Sequence, residues 1–313
     1  MVGKLSDNVK ISGSRIPVIY MWWYFQPHPY STPNAELQKS IDAKNGDFES
    51  HDIGEMGVVG NLLEPVLLRS ACEELGLPEP ELSPPVIKTE HFECSLDGIV
   101  HLTEPTLLRT GGITTVKNFD EIAVSGPLPI EVKVTGASPT DDPPLYRGPV
   151  QLQAQMLASG ASAGVLVTLH KGNERRIVVY PSDPDTQQEI VNMCRDFNRR
   201  VEAADYYPPV NIDDAVIPPG RELEQPVQLD ELQNDIYTME LLKHDRDDLN
   251  ARIDSIQLKI MERMGEATRA TAGPYTLHWP VRNYRATKER IVPAKAARSV
   301  RLKTIKVNDT MGG

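Results

Sequence analysis

Five prolines within residues 206–226 (YYPPVNIDDAVIPPGRELEQP) constrain this chain more than any other feature. Proline lacks a backbone donor and fixes its φ, so neither a long helix nor a central strand runs through such a stretch. The chain therefore reads as a body of residues 1–205, a Pro-rich linker of residues 206–227, and a C-terminal part of residues 228–313. Of the 313 residues, the body alone is long enough to bury a core without disulfide or metal staples. Its three cysteines, Cys72, Cys94 and Cys194, are too few and too widely spaced for a disulfide framework, and no C-x-x-C pair is present. The longest apolar runs fall well short of the ~20 residues that span a bilayer. The first residues, MVGKLSDNVK, do not resemble a secretory signal. A reduced, cytoplasmic protein is expected.

The net charge of −11 conceals an asymmetry. Residues 267–313 hold ten Lys/Arg and two Asp/Glu, whereas residues 1–266 hold 23 and 42. An acidic body with a basic tail does not fit a simple nucleic-acid coat. If the body handles phosphates, it needs locally placed cations or metal ions that offset its carboxylates.

Hydrophobic periodicity outlines the body. An aromatic, Pro-rich lead-in (Ile19–Tyr30) precedes a helix near residues 35–43. Met56, Val59, Leu62, Leu63, Val66, Leu67 and Ala71 recur near a period of 3.6, which predicts a helix over residues 53–75 kinked or broken at Pro65. Short strands are expected at residues 86–92 and 95–101, then a turn-rich insertion over residues 102–120. Residues 129–135 (PIEVKVT) alternate cleanly, with Ile130, Val132 and Val134 on one face and Glu131 and Lys133 on the other. A helix over residues 146–159 ends at Gly160, a hairpin turns around Lys171-Gly172-Asn173, and a polar helix spans residues 183–205. Beyond the linker, apolar residues at 3- and 4-residue steps from Leu229 to Met264 predict one long helix or a helical hairpin with a narrow apolar seam. Short strands are expected within residues 274–306. Arg282, Arg285, Lys288 and Arg290 could track a nucleic-acid backbone.

No phosphate-cradling glycine loop, nucleophile elbow or H-E-x-x-H motif is present, and the seven histidines are scattered. What remains is a set of carboxylates. Asp97 precedes Gly98 at a tight turn beside a strand. Glu131 and Lys133 share one face of the alternating strand, 34 residues further on. Glu64 lies on the residue 53–75 helix, and Gln151 and Gln155 lie one turn apart on the next helix. An Asp with Glu-x-Lys suits metal-dependent phosphodiester cleavage. Carboxylates are hard oxygen ligands for Mg²⁺, which polarises phosphate and acidifies water, and a lysine offsets charge or orients that water. Alone, the pattern also fits an exposed strand face.

Four segments occur in order: Gly60-Asn61-Leu62-Leu63-Glu64-Pro65, Cys94-Ser95-Leu96-Asp97-Gly98, Ile130-Glu131-Val132-Lys133, and Tyr146 followed by Gln151-Leu152-Gln153-Ala154-Gln155-Met156. Together they resemble the phage lambda-type exonucleases, the YqaJ-like viral recombinase family of the PD-(D/E)xK nuclease superfamily, over about residues 10–205. The resemblance implies an α/β fold with a mixed central sheet flanked by helices, to which the helical and basic C-terminal extension is added. It implies Mg²⁺ (or Mn²⁺) held by Glu64, Asp97, Glu131 and the backbone carbonyl of Val132. Lys133 is implied to activate the water and Gln151 to support the site. Ser95, Ser14 and Arg15 are the implied substrate contacts. The implied activity is 5′ to 3′ resection of linear double-stranded DNA, leaving 3′ single-stranded tails for recombination. A homotrimer ring and a single-strand annealing partner are implied with it. The insertion between Asp97 and Glu131 is longer than the family pattern. An endonuclease or another nuclease of the superfamily, and a non-catalytic DNA-binding or scaffold protein, are the alternatives. An iron–sulfur relative needs four cysteine ligands and is disfavoured by three.

Overall fold

The computed structural model describes residues 9–47, 54–140, 142–217, 228–278 and 300–301. Most of the basic tail, including Arg282, Arg285, Lys288 and Arg290, lies outside the described residues. The chain divides into two compact units, residues 1–216 and 217–313.

In chain order, the first unit comprises β1 (Ile11–Ser12), α1 (Ile16–Trp23), α2 (Pro33–Lys44), α3 (Gly54–Leu75), β2 (Glu81–Leu82), β3 (Ile87–Lys88), β4 (Phe92–Cys94), β5 (Gly98–Arg109), β6 (Thr114–Val116), β7 (Glu121–Thr135), α4 (Pro149–Ser159), β8 (Ala163–His170), β9 (Glu174–Pro181) and α5 (Pro184–Ala203). Six strands form a mixed sheet in the order β2-β5-β7-β8-β9-β6. The β5/β7 and β8/β9 pairs are antiparallel and the β7/β8 pair is parallel. The parallel pair requires a crossover, which α4 supplies. The expected mixed α/β core flanked by helices is therefore present.

The two faces of the sheet are covered differently. Leu67, Leu68, Ala71 and Cys72 of α3 pack on Val100, Ile130, Val132, Val165, Val167, Ile177 and Val179. The opposite face, carrying Leu166, Val178 and Tyr180, receives Leu152 and Met156 of α4. Behind α4 lies a second apolar layer, in which Ile16 and Ile19 of α1, Leu37 of α2 and Ile190, Phe197 and Val201 of α5 meet Phe92 and Leu96. Alternation along β7 thus sends its valines toward α3. Glu131 and Lys133 point toward α4.

Several elements differ from the sequence reading. Helix α3 continues through Pro65, and Val59, Leu62 and Val66 of its apolar run are exposed. The segment read as a turn-rich insertion is mostly strand. β5 runs on to Arg109, and Thr106–Arg109 pair with Glu121–Val124. The register slips between Leu102 and Thr106, and Pro105 sits in that irregularity, where a ladder donor is not needed. The body also continues past residue 205. Tyr207 is buried against Trp22, with ring centroids 4.7 Å apart. Buried Asn34 donates to the carbonyls of Tyr207 and Asp214, each at 3.0 Å. A two-residue strand, β10 (Val216–Ile217), follows.

The second unit contains α6 (Gln233–Met264) and a hairpin of β11 (Arg269–Ala272) and β12 (Tyr275–His278). The C-terminal seam is carried by a single helix rather than a helical hairpin. Its apolar residues are not buried among the described residues.

Candidate active site

Chain geometry draws the carboxylates together at one end of the β5/β7 pair. Gly98 pairs with Ile130, so Asp97, one residue before β5, comes alongside Glu131 and Val132. Gly98 is also a packing requirement, because a Cβ there would lie 2.9 Å from a methyl of Leu68 on α3. With β5 not yet begun, the Val132 amide donates to Asp97 Oδ2 at 2.9 Å in place of a ladder bond. In a strand, the carbonyl of a residue leaves on the same side as its amide, so the Val132 carbonyl also faces the Asp97 edge.

Glu131 is almost fully buried, with 1% exposure. Its Oε1 lies 2.6 Å from Lys133 Nζ, and its Oε2 accepts from Gln155 Nε2 at 2.6 Å. Lys133 Nζ also donates to Gln151 Oε1 at 2.9 Å. Gln151 and Gln155 occupy one face of α4, one turn apart, and clamp the two β7 side chains in place. Gln155 makes a further bond to the Ser95 carbonyl at 3.2 Å, which ties the turn before Asp97 to Glu131. Its Oε1, although buried, has no protein partner among the described residues.

Electrostatics couple the members of the group. Burial, Glu131 and Glu64 push the Asp97 carboxyl well above the usual carboxylate range, against the opposing pull of Lys133 and the Val132 amide. Burial alone would lower the Lys133 ammonium, yet Glu131, Asp97 and Glu64 together raise it. Glu64, half-buried on α3, is therefore close enough to act on both. Three carboxylates share the one ammonium of Lys133.

The structure brings Glu64, Asp97, Glu131, Lys133 and Gln151 into one neighbourhood. Ser95 is exposed beside it. β1 runs parallel to β4 with Ser12 opposite Glu93, and a Cβ on Gly13 would lie 2.8 Å from Cys94 Sγ. The chain turns there, leaving Ser14 exposed with its Oγ 3.1 Å from Ser12 Oγ. Arg15 is engaged elsewhere: its Nε lies 2.6 Å from Glu36 Oε2, and its terminal nitrogen donates to Ser40 Oγ at 3.0 Å. Its charge is thereby satisfied inside the helical layer. Gln155 is the residue to which the sequence reading gave no role. Its spacing from Gln151 was the available signal.

The donor set, carboxylates beside a backbone carbonyl, is in kind that of a hard divalent cation. Among the described residues, no three acidic, histidine or cysteine side chains are already grouped as ligands. Lys133 occupies one Glu131 oxygen and Gln155 the other, so the ammonium stands in for part of the charge a metal would bring.

No protein-family model and no curated protein matches the chain. Solved structures with a similar trace include an alkaline exonuclease, LHK-Exo, from Laribacter hongkongensis, at 17% identity and a TM-score of 0.43, over 63% of this chain and 89% of that one. The same enzyme in complex with dAMP gives 17% and 0.42, over 63% and 90%. A phage-related exonuclease from Haemophilus somnus gives 11% and 0.39, over 62% and 96%.

Proposed function

We propose that this protein is a metal-dependent nuclease that hydrolyses phosphodiester bonds in DNA. The observation that carries the reading is the convergence of Asp97, Glu131 and Lys133 on one sheet end, braced by two glutamines of α4. The four ordered motifs that resemble the lambda-type exonucleases support the finer reading. On that reading the substrate is linear double-stranded DNA, resected 5′ to 3′ to leave 3′ single-stranded tails. The enzyme would work as a homotrimer ring with a single-strand annealing partner.

Glu64, Asp97, Glu131 and the Val132 carbonyl would hold Mg²⁺ or Mn²⁺, which when bound polarises the phosphate and acidifies a water. Lys133, fixed by Glu131 and Gln151, places a positive charge beside the reacting phosphate and orients the attacking water. Gln155 keeps Glu131 aimed by donating to its other oxygen. Ser95 and Ser14 offer hydroxyl donors to phosphate oxygens.

The test is digestion of 5′-phosphorylated linear duplex with Mg²⁺, beside covalently closed circles. Loss of the linear duplex alone is expected, and chelation of the metal should stop it. Cutting of closed circles would assign an endonuclease. Equal digestion by Lys133→Ala and the wild type would overturn the site.

A further inference from the structure

Helix α6 carries an apolar seam, interrupted at Arg246, that nothing covers among the described residues. On a heptad frame with position a at residues 239, 246, 253 and 260 and position d at residues 242, 249 and 256, the seam reads Met239, Leu242, Arg246, Leu249, Ile253, Ile256 and Ile260. Six of these seven positions are apolar, and Leu242, Leu249, Ile253 and Ile256 are at least half exposed. A 3,4 spacing sustained over three heptads is the pattern by which helices pair knobs into holes. The helix is about 48 Å long at 1.5 Å per residue. The seam itself spans about 32 Å of that length, and left wet it is a strong incentive to associate.

Charge selects the occupant. Residues 229–248 hold seven acidic and two basic side chains, whereas residues 249–264 hold two acidic and three basic ones. A second copy laid parallel would set the acidic half against itself. Laid antiparallel, each acidic half faces a basic-leaning half, and the helix dipoles oppose. We infer that α6 of two copies pairs as an antiparallel coiled coil centred between Arg246 and Leu249.

In that register Met239 packs on the partner's Ile256, Leu242 on the partner's Ile253, and Arg246 on the partner's Leu249. The flanking positions then bring Asp245 to the partner's Arg252 on both sides of the two-fold axis. A parallel pair places Thr238 beside Lys243, Asp245 beside Asn250 and Arg252 beside Gln257, with no opposite-charge pair. Arg246 at a core position fixes register, because sliding by a heptad moves it away from the centre, where its long stem extends past Leu249 to water. The partner is thus a second copy of this chain, whatever the nuclease unit does.

Light scattering of the full chain tests the idea. Leu249→Asp with Ile253→Asp should halve the mass of the assembly. Leu258→Asp, an exposed position off the seam, should leave it unchanged. Orientation is read by cysteine cross-linking under mild oxidation. M239C/I256C should form covalent dimers, and Ile256→Cys alone should not, because antiparallel pairing separates the two copies of residue 256 by about 25 Å. A mass insensitive to the seam variants overturns the pairing. Efficient cross-linking of Ile256→Cys alone overturns the antiparallel orientation.

Discussion

Asp97 shows what a carboxyl costs the fold when burial and other carboxylates oppose its charge. Its carboxyl titrates well above the ordinary range because burial and two neighbouring carboxylates oppose its charge. A raised folded pKa stabilises the fold at pH values where the group is protonated, and this stabilisation is lost as pH rises through that value. Asp97→Asn should therefore melt at a higher temperature than the metal-free wild type at neutral pH, by calorimetry. It should also lose roughly 10³-fold or more in cleavage rate, by analogy with other lost transition-state contacts. The advantage in melting should shrink as pH falls.

Glu36 behaves in the opposite way. Burial would raise its carboxyl, but Arg15, Lys39 and Ser31 outweigh that and lower it. Its contribution is present above the unfolded value of about 4.3 and is lost as pH drops through the lower folded value. Glu36→Gln removes the carboxylate that Arg15 and Lys39 both pair with, and breaking a buried pair costs about 3–5 kcal/mol. Urea unfolding should show that loss at pH 7 and a smaller one below pH 4.

At the scale of elements, the site depends on how α4 meets the sheet. Gly148 begins the helix at φ +122°, a conformation that disfavours side chains, and a Cβ there would lie 2.5 Å from a Leu166 methyl. Gly148→Ala should destabilise the fold by about 1–3 kcal/mol. It should also cut cleavage more than its stability loss explains, since Gln151 and Gln155 ride on that helix. Comparing activity well below the melting transition separates the two effects.

The elements that sequence made legible are those whose period is local. The alternating β7 segment, the α4 helix ending at Gly160 and the hairpin at Lys171-Gly172 could be read from neighbours alone. The segment of residues 102–120 reads as turn-rich because the strand pairing that accommodates Pro105 depends on a register slip against β7, a long-range fact. Glu131 and Lys133 were legible as a same-face pair. That Gln155, rather than solvent, would complete Glu131 required knowing that α4 crosses over that face. Arg15 could be placed near a substrate by motif, but its ion pair with Glu36 depends on α2 packing beside α1.

For the whole molecule, the lesson concerns where the first unit ends. The prolines at residues 208 and 209 suggested a linker from residue 206, yet Tyr207 and Asp214 tie the segment back to α2. A fragment ending at residue 217 should unfold as cooperatively as the intact first unit. One ending at residue 205 loses a buried tyrosine and the Asn34 partners, and should be less stable by several kcal/mol in denaturant titration. Equal midpoints would mean that the segment packs without contributing.

The Val132 amide gives the site its own spectroscopic address. Because its proton is held by a carboxylate rather than by the next strand, its deuterium exchange and chemical shift report on Asp97 and not on sheet breathing. Titrating Mn²⁺ or Mg²⁺ while following that one resonance would count ions entering the cleft, before any DNA is added.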